Sequence, residues 1–536
     1  MEMERRQFLA GLAATGVLAA TAGALTRPAF AQDQTIRVAL AANGTPTLNP
    51  SSARATGPVL FPAYHIFDTL VQAPDGVFAT RPEEYRPVLA ESWEVDETGF
   101  VWTFNLRPGV KFHKGYGEVS SEDVVFCYSR LLDPNVLTTA KINYVNIQSV
   151  EAVDPLTVRF TLKQPDPFLV GSTLSLLSAS IFSRTAFEEK GEEGFDFDPI
   201  GTGPYQFVSG SADDRIILAA NPDYFDGVPL VENLRIDYLA DTTARTLAFA
   251  SGQADVIEGV RSPGWVHSIR QRSADTIFDA TLPGSHNYLW LNLNRAPLDN
   301  PKVRQAFRYA INNEQLASTF RGLAAPMVGL LAEGVAGAAA RADLPEELQY
   351  VPDPERARQL LTEAGFPDGI TIDCYTSQRE DYSSIMLMIQ EQLRSVGINL
   401  NMRIVDHTTF HSDNRKDLNS LGLFSVSFPA VPTQPFVTML PASAVVKADR
   451  SGGQNNSHYG IAIPGIDDLL DQAQDEADMD ARAALVTEME RKVLADLPVL
   501  GIITLSYVVA RNPRLDLGYE ITGGNPYWRY NRASFI

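Results

Sequence analysis

Residues 91–115, ESWEVDETGFVWTFNLRPGVKFHKG, contain two strand patterns separated by a short polar turn. Trp93 and Val95 alternate with polar neighbours before the turn, and aromatic residues alternate with smaller ones from Phe100 onward. Period-2 alternation on both sides of a turn is typical of an antiparallel hairpin. Gly99, the last residue of the turn, is able to adopt the positive φ that such a turn often requires. The stretch therefore predicts a scaffold hairpin in preference to an aromatic ligand-binding surface.

The size and composition of the chain indicate a globular protein with more than one lobe. Its 536 residues are too many for a single core, and two or three lobes are expected. Hydrophobic residues make up 45% and charged residues 20%, which is ordinary for a globular protein. The formal net charge of −21 argues against nucleic acid or an anionic membrane as a partner, because both require a basic face.

The N-terminus predicts export. Arg5 and Arg6 precede a weakly apolar run, and small residues end at Ala31, which suits cleavage by signal peptidase near that residue. The paired arginines resemble a twin-arginine signal, so residues 1–31 are predicted to be a signal peptide of that type. The alternative is an uncleaved membrane anchor, but the run 9–25 contains three glycines and is shorter than a membrane span.

The mature chain is expected in the periplasm without a lipid anchor, because no cysteine lies near the cleavage point. Cys127 and Cys374 are the two cysteines of the chain. Cys127 lies in an apolar helical pattern and Cys374 in a strand pattern, so we expect two separately buried thiols.

Short helices and strands alternate along the rest of the chain, which indicates an α/β protein. Helix starts are predicted from their capping signals: Ser120 with Asp123, Asn300 with Pro301, and Asp353 with Pro354. Gly365 and Gly397 are predicted helix stops, the latter before an alternating strand.

Signatures of catalysis are scarce. The chain has no G-x-S-x-G, C-x-x-C, Walker or H-E-x-x-H motif. His407 and His411 stand at i, i+4 and could share a metal ion, but no third ligand is evident, and a solvated helix face is expected instead. GTGPYQF, residues 201–207, predicts a turn that leads into a strand. No metal, cofactor or catalytic residue is predicted, and a large exported protein of this kind is more typical of binding than of catalysis.

The order of longer motifs resembles a known family. TLVQAPDG, RPVLAESWEVDETGFVWTFNLRPGVKFHKG, SSEDVVFCYSRLLDP and IQSVEAVDPLTVRFTL stand in the first third, followed by PIGTGPYQFV, PKVRQAFRYAINNEQL and DPERARQLLTEAGFPDG. This combination resembles the periplasmic dipeptide- and oligopeptide-binding proteins of ABC importers, solute-binding protein family 5. The resemblance spans nearly the whole mature chain.

The resemblance implies an α/β, two-lobed periplasmic-binding-protein fold with an extra inserted domain and a ligand cleft between hinged lobes. Lobe I is expected to comprise residues 32–60, 201–285 and 506–536, with the inserted domain at 61–200. Lobe II is expected at 286–505. Crossing segments near SHNYLWLNLN and LPVLGIITLSY are expected to form the hinge.

The implied function is the receptor of an ABC importer, a monomer that captures a peptide or peptide-sized organic solute and delivers it to permease and ATPase subunits. The ligand class stays open at this point, because an opine, a conjugated sugar or a metal chelate is an alternative to a peptide. Rival functions are an exported hydrolase and a periplasmic chaperone or chemosensory adaptor.

The resemblance also implies ligand-binding positions. Thr56, Gly57 and Tyr64 lie in the stretch where the family lines its cleft, with turn structure as the alternative. Arg379 is the candidate for the family's carboxylate-binding arginine.

The lobe II position that holds a peptide ammonium in the family departs from the pattern. Phe428 stands at the family's tryptophan, Val431 at its aspartate, and Pro432 continues the apolar stretch. A valine cannot pair with a buried ammonium, so free dipeptides are expected to bind weakly unless another acid has taken over. Asp381 and Asp406 are candidates for that acid.

Overall fold

The structure is a computed structural model that describes residues 35–52, 57–138, 140–211, 215–427, 431–449, 453–523 and 527–536. The predicted signal peptide lies outside these residues. In chain order the strands are β1 (Thr35–Leu40), β2 (Val71–Gln72), β3 (Arg86–Pro87), β4 (Ala90–Val95), β5 (Val101–Leu106), β6 (Ile147–Asp154), β7 (Thr157–Leu162), β8 (Tyr205–Gly210), β9 (Ile216–Ala220), β10 (Asn233–Tyr238), β11 (Val256–Glu258), β12 (Ile277–Asp279), β13 (Ser285–Leu291), β14 (Ala324–Pro326), β15 (Ile370–Ser377), β16 (Ile398–Val405), β17 (Leu421–Val426), β18 (Val499–Leu505), β19 (Val509–Arg511), β20 (Leu515–Asp516) and β21 (Ser534–Phe535).

The α-helices alternate with these strands. In chain order they are α1 (Gly57–Ile66), α2 (Ser121–Leu132), α3 (Arg184–Asp196), α4 (Thr242–Ala250), α5 (Pro263–Arg272), α6 (Pro301–Ala310), α7 (Asn313–Thr319), α8 (Pro354–Glu363), α9 (Glu380–Arg394), α10 (His407–Arg415), α11 (Gln434–Met439), α12 (Ile466–Asp475) and α13 (Met479–Asp496).

Two sheets define two lobes. Lobe I is built on a seven-stranded sheet in the order β12-β19-β11-β1-β10-β9-β8, and lobe II on a four-stranded sheet in the order β14-β18-β13-β17. Lobe II also contains the parallel pair β15-β16. A separate antiparallel sheet, β4-β5-β7-β6, forms the inserted domain. The predicted α/β two-lobed fold is confirmed, whereas the residue boundaries of the lobes stay a prediction.

The chain passes between the two lobes twice, between β12 and β13 and between β18 and β19. The two crossings meet where Gly284 forms an isolated bridge with Leu505. Gly284 has φ +61°, and a Cβ at this position would lie 2.2 Å from the Leu505 carbonyl oxygen. Only glycine allows this approach of the two backbones, so the residue holds the crossings side by side.

The hairpin predicted within residues 91–115 is present and has the predicted scaffold role. β4 and β5 pair antiparallel, with Trp93 opposite Phe104 and Val95 opposite Trp102. Gly99 has φ +75° in the turn. Trp102 and Phe104 are buried in the core that the inserted domain shares with lobe I. The aromatic stripe is therefore scaffold, as predicted.

The predicted local signals also hold. Ser120, Asn300 and Asp353 are the N-caps of α2, α6 and α8. Gly365 and Gly397 adopt positive φ just beyond α8 and α9. Cys127 and Cys374 are free and separately buried. These elements form because their capping and packing requirements are satisfied within a few residues of sequence.

A buried ion pair fastens the C-terminal tail to the loop that follows α1. Arg529 Nη1 lies 2.7 Å from Asp68 Oδ1, and both side chains are almost fully buried. Arg529 Nη2 donates to the Phe67 carbonyl at 2.6 Å, and Thr202 Oγ1 donates to Asp68 Oδ2 at 2.9 Å. Burial alone would lower the pKa of Arg529, but the Asp68 carboxylate outweighs this effect and raises it.

Substituting Arg529→Met should lower the free energy of unfolding by about 3–5 kcal/mol, because it leaves the Asp68 carboxylate buried without its cation. Arg532→Met is the matched control, since the Arg532 side chain is 52% exposed and lies 3.5 Å from Asp226. Its loss should cost less than about 1 kcal/mol. Urea unfolding followed by fluorescence measures both, and equal shifts for the two variants would contradict the assignment.

Candidate functional site

A cavity of about 240 Å³ lies between the lobes. Its ionisable lining residues are Arg261, Arg379, Asp381, His407 and His411. Its hydroxyl-bearing lining residues are Ser285, Tyr382, Ser425, Ser427 and Tyr507. Arg261 comes from lobe I, Ser285 and Tyr507 from the two crossings and the others from lobe II, so the cavity is positioned as a cleft between hinged bodies.

A cavity of about 300 Å³ lies elsewhere, against α2 and β6 of the inserted domain. Val125, Leu132 and Val150 line it, and Ser129 and Asp133 are its polar lining residues. It lacks the convergent charged and hydroxyl groups that the interlobe cavity has. The interlobe cavity is therefore the candidate site.

The start of α9 places an ion pair in the cavity wall. Arg379 is the N-cap of α9, and Asp381 lies in its first turn. Arg379 Nε and Nη2 donate to the two carboxylate oxygens of Asp381 at 3.0 and 2.8 Å. Burial alone would lower the pKa of Arg379, but the hydrogen bond and charge of Asp381 raise it on balance. Both carboxylate oxygens are thus engaged by one guanidinium.

Arg261 faces this wall from lobe I, in the segment between β11 and α5. Its Nη1 donates to Ser285 Oγ at 2.6 Å. Its guanidinium carbon lies 3.9 Å from the centroid of the Tyr507 ring, a cation–π geometry. Within the described residues Arg261 forms no salt bridge, so its charge is available to a ligand.

His407 and His411 occupy one face of α10, with ring centroids 4.5 Å apart. His407 Nδ1 lies 2.9 Å from Ser377 Oγ, and the Tyr382 ring packs against both imidazoles. Burial lowers the pKa of both groups, to about 4 for His411. The prediction of a solvated helix face is wrong, because both side chains are half-buried and line the cavity. Sequence spacing showed that they share a face but not what the face contacts.

The hydroxyl groups that line the cavity form hydrogen bonds between lobe II and the two crossings. Ser427 Oγ lies 2.6 Å from Tyr507 Oη. Tyr382 Oη donates to the Ser425 carbonyl at 3.3 Å, and Ser425 Oγ donates to Ser285 Oγ at 3.3 Å. These contacts connect β17, β13 and the second crossing around one small volume.

Two of the predicted ligand-binding residues, Thr56 and Phe428, lie outside the described residues. Gly57 is exposed at the start of α1. Tyr64 is half-buried on the same helix and packs against the core of lobe I. Their roles in ligand binding stay predictions.

In lobe II, Arg379 and Asp381 both line the cavity, and the Asp381 carboxylate accepts hydrogen bonds from the Arg379 guanidinium. Asp406 caps α10 through a 2.8 Å hydrogen bond from the Thr409 amide, so its carboxylate has a structural partner. Val431 and Pro432 are buried between β17 and α11.

Sequence reasoning missed Arg261, Tyr507 and the serines. Tyr507 stands in LPVLGIITLSY, which the family resemblance marks as a crossing, and that was the one available signal. Arg261 follows a strand by three residues and carries no motif. Its role arises from a contact with Tyr507, 246 positions away in the chain.

Comparison with known proteins gives the family. The family model described as "Bacterial extracellular solute-binding proteins, family 5 Middle" matches residues 84–443. Glutathione-binding protein GsiB of Shigella flexneri serotype 5b (strain 8401) is 31% identical over 414 residues, which cover 75% of each chain. Di/tripeptide-binding protein 2 of Pseudomonas aeruginosa (strain UCBPP-PA14) is 29% identical over 77% of this chain and 80% of that protein.

Solved structures agree in fold. MoaA from A. tumefacien R10, in complex with mannopinic acid, superposes with a TM-score of 0.78 at 28% identity, covering 94% of this chain and 99% of that one. DppA from Helicobacter pylori, in complex with the peptide STSA, gives 0.74 at 25% identity, covering 94% and 98%. The chain belongs to bacterial extracellular solute-binding protein family 5.

It is accordingly a solute-binding protein of the ABC-importer type, and the predicted resemblance is confirmed. The family consists of binding proteins. Within the described part of the chain, no helix is long and apolar enough to cross a membrane. Among the same residues, no group of three or more His, Cys, Asp or Glu side chains is arranged to hold a metal ion.

The half-buried position of His411 predicts an unusual titration. The pKa of His411 is about 4 in the folded protein and about 6.5 in an unfolded chain. Between these pH values the unfolded chain binds the proton and the folded one does not, so the contribution of His411 to stability falls as the pH falls from 6.5 towards 4.

An NMR titration of the imidazole resonances measures this pKa, with His411→Gln used to assign the signal. The expected midpoint is about 4. The variant should also lose less stability than the wild type between pH 6.5 and 4. A midpoint near 6.5 would mean that the ring is solvated and does not line the cleft.

Proposed function

We propose that this protein is the periplasmic receptor of an ABC importer, which captures a peptide-sized organic solute between its lobes and delivers it to a membrane permease with its ATPase. The observation that carries the proposal is the interlobe cavity, which is lined from both lobes and from the crossing that joins them. A ligand that contacts both lobes favours the closed arrangement, and only that difference in affinity drives closure.

The ligand is proposed to bind without a free ammonium group. In the cavity wall, the Asp381 carboxylate is already engaged by Arg379. Val431, at the family's aspartate position, is apolar and 7% exposed. An ammonium buried without a partner is costly. This favours an N-blocked peptide or another organic solute that presents no ammonium group to this wall.

Residues from both sides are proposed to complete the cleft: Thr56 and Gly57 from lobe I, Tyr64 from the start of the inserted domain, and Phe428, Val431 and Pro432 from lobe II. The proposed bodies are 32–60, 201–285 and 506–536 for lobe I, 61–200 for the inserted domain and 286–505 for lobe II. The protein is proposed to act as a monomer.

Native mass spectrometry of protein purified from its own periplasm tests the proposal. We expect a stoichiometric small molecule that is lost on denaturation, together with loss of uptake of that molecule when the gene is deleted. A solute-free protein, or unchanged uptake of a retained solute, would contradict the receptor function.

Export is proposed to use the twin-arginine route, with cleavage near Ala31, because Arg5 and Arg6 precede the apolar run. Replacing both with lysine should leave uncleaved precursor in the cytoplasm, measured by cell fractionation and immunoblotting. A control that replaces Arg27, after the apolar run, should be exported normally. Processed periplasmic protein in the double variant would indicate the general secretory route.

A further inference from the structure

We infer that Arg261 is the carboxylate-binding residue of the cleft and that the ligand carries a net negative charge. This inference rests on the proposed function, because it concerns the chemistry of the solute held in the same cavity. It reassigns the carboxylate-binding role that the family resemblance gave to Arg379.

The first step is the balance of charge in the cavity. Two arginines and one carboxylate line it, and the carboxylate of Asp381 pairs with Arg379 through both oxygens. The two histidines are neutral at pH 7, because burial lowers their pKa. One positive charge, that of Arg261, is therefore left without a counter-charge in the lining, and an anionic ligand complements it.

The second step is that no carboxylate of the described residues pairs with Arg261. Arg261 forms no salt bridge within the described residues. Glu258, three positions earlier, accepts the Ala41 amide at 2.9 Å.

The third step is the orientation of the guanidinium. Tyr507 covers one face at 3.9 Å, and Ser285 accepts a hydrogen bond from Nη1. A guanidinium has five N–H donors, so donors remain for a bidentate carboxylate. Because Tyr507 and Ser285 restrict the side chain before ligand arrives, less conformational entropy is lost on binding. Arg261 also lines the cavity from lobe I, so a carboxylate held here by a ligand seated on lobe II links the two lobes.

The rest of the lining describes the remainder of the ligand. Hydroxyl groups of serines and tyrosines, and two neutral imidazoles, donate and accept hydrogen bonds without charge. They suit hydroxyl or amide groups. The inferred solute is therefore an organic acid whose other polar groups are mainly hydroxyls or amides.

Calorimetric titration with a matched set of compounds tests the inference: Met-Leu, N-acetyl-Met-Leu, the C-terminal amide of N-acetyl-Met-Leu, and mannopinic acid. We expect the wild type to bind at least one of the two anionic compounds, N-acetyl-Met-Leu or mannopinic acid. If N-acetyl-Met-Leu binds, its affinity should be at least tenfold higher than that of its C-terminal amide. Arg261→Gln should weaken binding of the anionic compound at least tenfold and leave binding of the neutral amide unchanged within twofold.

Two further variants separate ligand contact from a structural role. Arg261→Lys keeps the positive charge but not the paired N–H donors of the guanidinium, so it should cause an intermediate loss of affinity for the anionic compound. Arg270 is an exposed arginine on α5 of the same lobe, and the Arg270→Gln variant should bind the anionic compound with the affinity of the wild type. The ligand-free Arg261 variants should still unfold in a single transition, with midpoints only slightly below that of the wild type because one hydrogen bond and one cation–π contact are lost.

Wild-type affinity for the anion in Arg261→Gln, equal binding of acid and amide, or failure of both anionic compounds to bind the wild type would overturn the inference. The proposed receptor function would survive any of these results if a native solute is retained and its uptake is lost on gene deletion. If no solute is retained, the receptor function fails whatever Arg261 does.

Discussion

The close approach of the two crossings at Gly284 and Leu505 is the constraint on which the rest of the structure depends. A Cβ at Gly284 would lie 2.2 Å from the Leu505 carbonyl oxygen, so the backbones touch with no side chain between them. Because the strands on either side belong to different sheets, this contact sets where one lobe stands relative to the other. It also brings Ser285 and Tyr507 to the base of the cavity, where both contact Arg261. The crossings and the cavity-lining groups are thus parts of one local arrangement.

The charges of the cleft are distributed unequally between the lobes. On lobe II, Arg379 and Asp381 neutralise each other in a two-bond pair, and the neighbouring imidazoles are kept neutral by burial. On lobe I, Arg261 is oriented but has no carboxylate partner within the described residues. A ligand that supplies the missing negative charge binds both lobes at once, which is the energetic requirement for closure. If Arg261 binds the ligand carboxylate as inferred, ligand chemistry and conformational change depend on the same guanidinium.

The parts of this structure that sequence could predict are those decided by near neighbours. The turn ending at Gly99 set the hairpin register, and Asn300 and Asp353 began helices because their side chains satisfy amides within the next turn. Motif order extended these local predictions to the two-lobed fold. The cleft could not be predicted in the same way, since Arg261 and Tyr507 meet only after the chain has built all of lobe II. The spacing of His407 and His411 revealed a shared face, but whether that face met water or the cleft depended on the packing of Tyr382.

Small-angle X-ray scattering of the protein before and after ligand is restored tests the central claim most directly. Protein stripped of its native solute by unfolding and refolding is compared with the same protein at saturation, with saturation established by calorimetry. The account predicts a smaller radius of gyration with ligand, because the solute contacts both lobes and favours their approach. Saturable binding with an unchanged scattering profile would contradict it, since the ligand would then be bound without drawing the lobes together.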